Sequence, residues 1–180
     1  MGNLCLNPLE KNRLFRSKMV TMSDFDYYIR AGKAYHADDS TANIGGEAAP
    51  ADTIELTFTT PAAGTGIYAT FNAFCSTAAA VFTLREGFTA GGTGGGALSL
   101  VNLNRNSTNT SSLTSPLITN TVITSGGTVL HQETLTAGIV TNNGLDDNHP
   151  WVLKHSTKYG ISVYLAAAGV ARVSMHWIEI

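Results

Sequence analysis

Hydrophobic and polar residues alternate with a period of two along much of this chain, which is the pattern of half-buried β-strands. Between residues 53 and 60, Ile54, Leu56 and Phe58 fall on one side and polar residues on the other. The same rhythm recurs over residues 66–75, 158–165 and 170–180, and more weakly over 78–86. Alternation, rather than long apolar runs, favours antiparallel sheets with one face on a core.

Shorter runs of β-forming residues, separated by glycine-rich loops, predict further strands. Further strands are predicted at residues 27–30, 98–103, 122–123, 128–136 and 151–153, and loops at 37–50, 90–96 and 141–150. Ser125-Gly126-Gly127 is predicted to turn the chain between two strands. Eight or more short strands with almost no helix predict an all-β fold, an antiparallel β-sandwich resembling a jelly roll.

The first 22 residues are predicted to form an arm on a sandwich domain of residues 23–180. Asn7, Pro8 and Glu10 suit the start of a short helix over about residues 8–16, which is too short to be stable alone. Residues 1–18 carry a net charge of +3 in a chain of net charge -2. We expect the arm to dock on an acidic partner, and a solvated tail stays an alternative. Its candidate partner-binding residues are Lys11, Arg13, Arg16 and Lys18.

The composition of the chain argues against nucleic-acid and membrane partners. Charged residues make up 13% of the chain, about half the usual share, and no basic patch dominates. Nucleic acid is therefore not expected as a partner. No stretch is apolar enough to span a membrane, and Met1–Val20 lacks the apolar region of a signal peptide. We expect synthesis in the cytoplasm and no membrane partner.

No catalytic constellation is visible in the sequence. The five histidines are scattered, no Gly-x-Ser-x-Gly or zinc pattern occurs, and a disulfide between Cys5 and Cys75 is not supported by spacing. Cys75 is predicted to behave as a small buried hydrophobe. Asp146, Asp147 and His149 offer a cation site, but an acidic turn explains them as well. We therefore predict no enzyme activity, no catalytic residues, no metal and no cofactor.

The most unusual stretch is the Asn, Ser and Thr-rich segment 102–112. Such side chains stabilise turns, and one arginine among them has five donors for surrounding carbonyls. The segment is predicted to be an ordered loop structured by Arg105, Asn104 and Asn106, with sugar binding as the alternative role. Aromatic residues on a sheet face are further sugar-binding candidates, although packing is the favoured role; they are Tyr27, Tyr28, Tyr68 and Tyr164.

Four segments carry a family resemblance when they are taken in order. They are Phe-Thr-Leu-Arg-Glu-Gly at 82–87, the Asn-x-Asn-Arg-Asn-Ser-x-Asn-Thr-Ser loop at 102–111, Thr-Val-Leu-His-Gln-Glu at 128–133, and Trp-Val-Leu-Lys-His-Ser-Thr-Lys-Tyr at 151–159. Together they resemble a family of small phage and prophage proteins encoded among head genes. The resemblance covers roughly residues 25–180 and excludes the arm. It implies association with the capsid and supplies no catalytic residues.

The expected function follows from the resemblance and the fold class together. We expect a structural protein of a bacteriophage virion, a decoration or cement protein that binds the outer head surface without catalysis. Its partners would be the major capsid protein or other virion proteins, and it would be a homo-oligomer, with a trimer favoured. The alternative is a receptor- or glycan-binding module of a tail or head fibre, and a polysaccharide depolymerase is a weaker hypothesis.

Overall fold

The computed structural model describes residues 24–44, 53–76, 80–90, 96–118, 123–138, 140–141 and 150–180. These residues form two antiparallel sheets packed against each other and one short helix, so the predicted all-β sandwich is confirmed. The elements are α1 (Asp24–Arg30), β1 (Ala34–Ile44), β2 (Thr53–Thr59), β3 (Ile67–Cys75), β4 (Ala80–Ala90), β5 (Gly96–Ala97), β6 (Val101–Asn102), β7 (Thr114–Ile118), β8 (Ile123–Leu135), β9 (Val140–Thr141), β10 (Trp151–Leu153), β11 (Lys158–Leu165) and β12 (Gly169–Glu179).

Each sheet contains six strands. Sheet A has the order β10-β3-β12-β1-β6, and β9 pairs with the far end of β3. Sheet B has the order β5-β7-β2-β11-β4-β8. The long strands β12 and β11 therefore lie in the middle of their sheets, where both edges are hydrogen-bonded.

The core fills the space between the two sheets. Alternate residues of β3, from Ile67 to Cys75, are buried, as the period-two pattern predicts. Trp177 of β12 stacks on Tyr35 with ring centroids 5.5 Å apart. Phe58 stacks on Tyr159 within sheet B, with ring centroids 5.7 Å apart. Cys75 is a buried free thiol, which confirms its predicted hydrophobic role.

The predicted strand at residues 27–30 is wrong, because these residues belong to helix α1. The helix ends in a Schellman motif: the Lys33 N–H donates to the Tyr28 carbonyl and the Gly32 N–H to that of Ile29, both at 2.9 Å. Gly32 has a φ of +67°, which the motif requires. The Tyr-Tyr-Ile run has a high β-propensity, but these residues form the last turns of a helix that the Schellman motif at Gly32 ends.

Two other predictions at element boundaries are wrong. The predicted loop over residues 37–50 contains most of β1, which ends at Ile44 and pairs with β12 along its length. The predicted turn at Ser125-Gly126-Gly127 lies inside β8, where both glycines have positive φ values and the strand remains paired with β4. The composition of both segments is typical of loops, so their strand conformation comes from pairing with a neighbouring strand.

Several predicted features lie outside the described residues. They include the arm with its basic residues and Cys5, the glycine-rich segment 91–95, and the acidic turn within residues 142–149. In the part of the chain that the structure describes, no helix has the length and apolar character that crossing a bilayer requires.

A polar cluster closes one end of sheet B. The Tyr159 hydroxyl donates to Glu86 Oε2 at 3.1 Å and accepts from the Lys154 N–H at 2.9 Å. The Lys154 ammonium pairs with Glu86 Oε1 at 2.5 Å. The pKa of Tyr159 is raised to about 12, above all by burial and also by the Glu86 carboxylate, against the opposing effect of the Lys154 N–H.

We expect the free energy of unfolding to fall as the pH rises from about 10 to 12. The pKa of Tyr159 is higher in the folded chain than its ordinary value of 10.0, so the folded state favours the protonated phenol. That stabilisation is complete below pH 10 and is lost as the pH passes through the folded pKa. The total loss in the free energy of unfolding should be about 2 kcal/mol. Denaturant titrations across this range measure it. Tyr159→Phe should remove most of the slope, and an unchanged slope in that variant would refute the assignment.

Candidate functional site

The Asn-rich loop lies against the junction between α1 and β1. The Asn102 side-chain amide donates to the carbonyls of Gly32 at 3.0 Å and Asn109 at 3.1 Å. The Asn104 side chain donates to the Arg30 carbonyl at 3.1 Å, and its Oδ1 accepts the Asn106 N–H at 3.1 Å. Short amide side chains therefore order this loop, which is the behaviour predicted from its composition.

Gly32 allows the loop to approach the backbone closely. A Cβ atom at this position would lie 2.2 Å from Ser107 Oγ and 2.7 Å from Ser107 Cβ. The same hydroxyl oxygen accepts the Asn109 N–H at 3.1 Å, so it is fixed within the loop. The glycine that ends α1 thus also creates the space in which the loop packs.

A buried carboxylate fixes the other end of the loop. Glu179, at 7% exposure, accepts hydrogen bonds at Oε1 from the Ser111 hydroxyl at 2.7 Å and the Ser112 N–H at 2.9 Å. The Trp177 indole N–H donates to the same oxygen at 3.2 Å. Three donors therefore pair with a carboxylate that would be costly to bury without hydrogen-bond partners.

An open polar pocket of about 510 Å³ lies between this loop, the β2–β3 connection and the end of β12. Hydroxyl, amide and charged groups predominate in its lining. The residues that line it include Lys33, Tyr35, Thr65, Thr108, Thr110 and Glu179. Such a lining offers hydrogen-bond donors and acceptors to a polar ligand.

Two titratable groups of the pocket, Tyr35 and Glu179, are held by hydrogen bonds within the fold. The Tyr35 hydroxyl contacts the carbonyls of Gly32 at 3.2 Å and Thr110 at 3.1 Å. Burial, and secondarily the Glu179 charge, raises the pKa of Tyr35 above its ordinary value. A phenol that stays protonated and a carboxylate that already accepts three donors are poorly placed to move protons. The geometry of these two groups suits hydrogen bonding to a polar ligand.

A second polar cluster lies on the outward face of sheet A. His36 and His176 are cross-strand partners with ring centroids 4.4 Å apart. Asp38 lies 3.3 Å from His36 Nε2 and accepts the Arg172 guanidinium at 2.8 Å. Burial, then the neighbouring His36 and Arg172, lowers the pKa of His176, against the weaker opposing effect of Asp38.

The structure places the predicted loop residues together but gives them unequal roles. Asn104 bridges the loop and α1, and the Asn106 N–H bonds to it. The Arg105 side chain is exposed, and its guanidinium makes no hydrogen bond within the described ranges. The amides therefore supply the loop contacts that were predicted for Arg105. The four basic residues of the arm lie outside the described residues.

Sequence reasoning missed Glu179 and the histidine pair. Glu179 contacts residues 67 and 68 positions away, and His36 and His176 meet only because of the β1–β12 register. No local motif marks either contact. The signal that could have found the histidine pair is the strand pairing itself.

Metal ligands do not cluster in the described part of the chain. No group of three or more His, Cys, Asp or Glu side chains there is placed to hold a metal ion. Comparisons with protein-family models, curated proteins and solved structures found no match to this chain. The site must therefore be interpreted from its own geometry.

Proposed function

We propose that this protein is a non-enzymatic structural component of a bacteriophage virion, a decoration protein that binds the outer surface of the head. The sequence resemblance suggests the virion, and the character of the site supports a binding role. The observation that carries the non-enzymatic part is the state of Glu179. Its Oε1 accepts from Ser111, Ser112 and Trp177, and its Oε2 shares the Ser112 N–H, so the carboxylate holds a loop in place.

A rigid frame suits a protein that works by adhesion. The loop is tied to α1 through Asn104 and to β12 through Glu179, so its surface is fixed before any partner binds. Preorganised surfaces lose less conformational entropy on association. In this proposal the basic arm contributes charge attraction to an acidic head surface; the residues concerned are Lys11, Arg13, Arg16 and Lys18.

The test is binding to heads assembled without this protein from the capsid protein encoded in the same genome. We expect co-sedimentation at about micromolar concentration, which decreases with salt. A variant with the four basic residues changed to Ser should bind at least about tenfold more weakly at low salt. Arg172→Ser, which changes one exposed arginine on the outward face of sheet A, away from the arm and the loop, is the control and should bind normally.

A glycan-binding module is the second candidate, and the polar pocket beside Lys33 and Thr108 favours it. The same protein preparation should then be tested on a glycan array. Binding to glycans together with no binding to heads would replace the decoration proposal. Binding to heads and a blank array would leave the decoration proposal standing.

A further inference from the structure

Strand β8 is an unusually long edge of the sandwich. It contains 13 residues and, within the described ranges, pairs only with β4. The strands at the other sheet edges, β5, β6, β9 and β10, have two or three residues each. An edge strand presents a row of backbone donors and acceptors to any further strand. The fold therefore leaves one long edge on which a strand can be added.

The second half of this edge carries few of the features that prevent pairing. Residues 131–136 include no Lys, Arg or Pro, and Glu133 is their only formal charge. Gln132, Thr134 and Thr136 are exposed. The irregular register of β8 lies opposite the Leu84/Arg85 step, before His131. Charges, prolines and bulges are the usual protection of an edge, and this half of β8 has only the bulge and the half-buried Glu133.

Two side chains on the edge have a polar atom without a hydrogen-bond partner in the described part of the chain. His131 Nε2 lies 3.6 Å from Glu133 Oε2, which is an ion-pair distance rather than a hydrogen bond. His131 Nε2 and Glu133 Oε1 are shielded from solvent and have no hydrogen-bond partner among the residues that the structure describes. Both residues are half-buried and pair with the core-facing Leu84 and Phe82. Shielded polar atoms without partners are costly, so a partner from outside would stabilise them.

We propose that β8 pairs with β8 of a second copy of this chain, antiparallel and around a two-fold axis at Gln132. His131 and Glu133 are equidistant from Gln132, so this register places each His131 opposite the partner's Glu133. Directly opposed residues share one face of a sheet with Cβ atoms about 5 Å apart. The pairing gives both shielded atoms a complementary neighbour, twice by symmetry. It joins the two copies of sheet B into one continuous sheet.

This inference does not rest on the proposed function, because it concerns the chain alone. Antiparallel pairing of a strand with itself is closed by a two-fold axis. The edge therefore favours a dimer, whereas the sequence analysis favours a trimer. A decoration protein and a glycan-binding module could each use such a dimer.

Sedimentation velocity of the full chain from about 1 to 100 µM tests the proposal, and we expect a dimer in this range. Gln132→Lys changes an exposed residue, so the fold should be unaffected. In the dimer it sets two ammonium groups opposite each other at the axis, which should weaken association about fivefold or more. Thr134→Lys is the matched control: it adds the same charge on the same strand but faces Leu130 of the partner subunit, so it should have a smaller effect.

Cysteine cross-linking tests the register directly. In a Cys5→Ser background, Gln132→Cys should form an intermolecular disulfide on oxidation, because opposed positions fall within the Cα separation of a disulfide. Thr134→Cys should not, since its two copies would lie about 13 Å apart along the strands. A monomer or trimer at 100 µM, an unweakened Gln132→Lys dimer, or cross-linking at 134 instead of 132 would each overturn the proposal.

Discussion

Replacing Glu179 with Ala should lower the free energy of unfolding by about 3 kcal/mol. The carboxylate is buried and accepts from the Ser111 hydroxyl, the Ser112 N–H and the Trp177 indole. Its removal leaves these three donors without their acceptor at the edge of the polar pocket, where water is a weaker replacement than a charged carboxylate. The loss of a charged acceptor costs more than the loss of a neutral one, because its hydrogen bonds are stronger.

Two further variants separate the contributions to this effect. Glu179→Gln keeps the shape and one acceptor oxygen but sets an amide donor near the Ser112 N–H, so we expect a loss of about half that size. Ser111→Ala removes a single hydrogen bond and should cost about 1 kcal/mol. Urea unfolding followed by tryptophan fluorescence gives all three values. A Glu179→Ala variant within 1 kcal/mol of the unchanged protein would contradict the role given to this carboxylate.

The same substitution should loosen the loop before it unfolds the sandwich. Glu179 holds residues 111 and 112, whereas Asn102 and Asn104 hold the other end of the loop against α1. Hydrogen exchange at the Ser112 amide should therefore accelerate more in Glu179→Ala than exchange within β3. This local opening would also widen the polar pocket, so ligand binding there should weaken.

The strands that could be predicted from the sequence are those whose two faces differ in environment. β3, β11 and β12 place alternate apolar residues on the core, and their period-two pattern is visible without any partner. In β2 the sequence alternates in the same way, but both faces are buried, because Glu55 and Thr57 are covered as well. β1 lacks this signal because its two core residues, Tyr35 and Ala37, are followed directly by a run of polar residues, so the apolar alternation stops after two positions. Its strand conformation comes from pairing with β12, which composition does not record.

The candidate site was harder to predict than the fold for a related reason. The loop at 102–112 is unusual in composition, so its order could be predicted, but the partners of its side chains could not. Asn104 bonds to Arg30, 74 residues away, and Asn102 bonds to Gly32, 70 residues away. Arg105 has the most hydrogen-bond donors in the loop, yet its side chain is exposed to solvent. The backbone carbonyl of Arg30 in α1, beside the loop, is bonded by the shorter side-chain amide of Asn104 instead.

Replacing Gly127 with Ala should destabilise the protein by at least about 3 kcal/mol. Gly127 has a φ of +77°, and a Cβ atom there would lie 2.6 Å from the Glu86 carbonyl oxygen and 2.9 Å from Phe88 Cβ. The obstacle is largely backbone in the middle of the β4–β8 ladder, where Glu86 pairs with Thr128 and Phe88 with Gly126. It cannot move without breaking strand pairing.

Gly138→Ala supplies a control matched in backbone conformation. Gly138 also has a φ of +77°, but a Cβ atom there would meet nothing within 4 Å. Both variants carry the cost of a left-handed alanine, about 1 kcal/mol, so the difference between them measures the clash alone. We expect that difference to exceed about 2 kcal/mol in urea unfolding. Equal losses in the two variants would mean that β8 leaves β4 at its glycines, as the sequence pattern predicts, and does not continue through them.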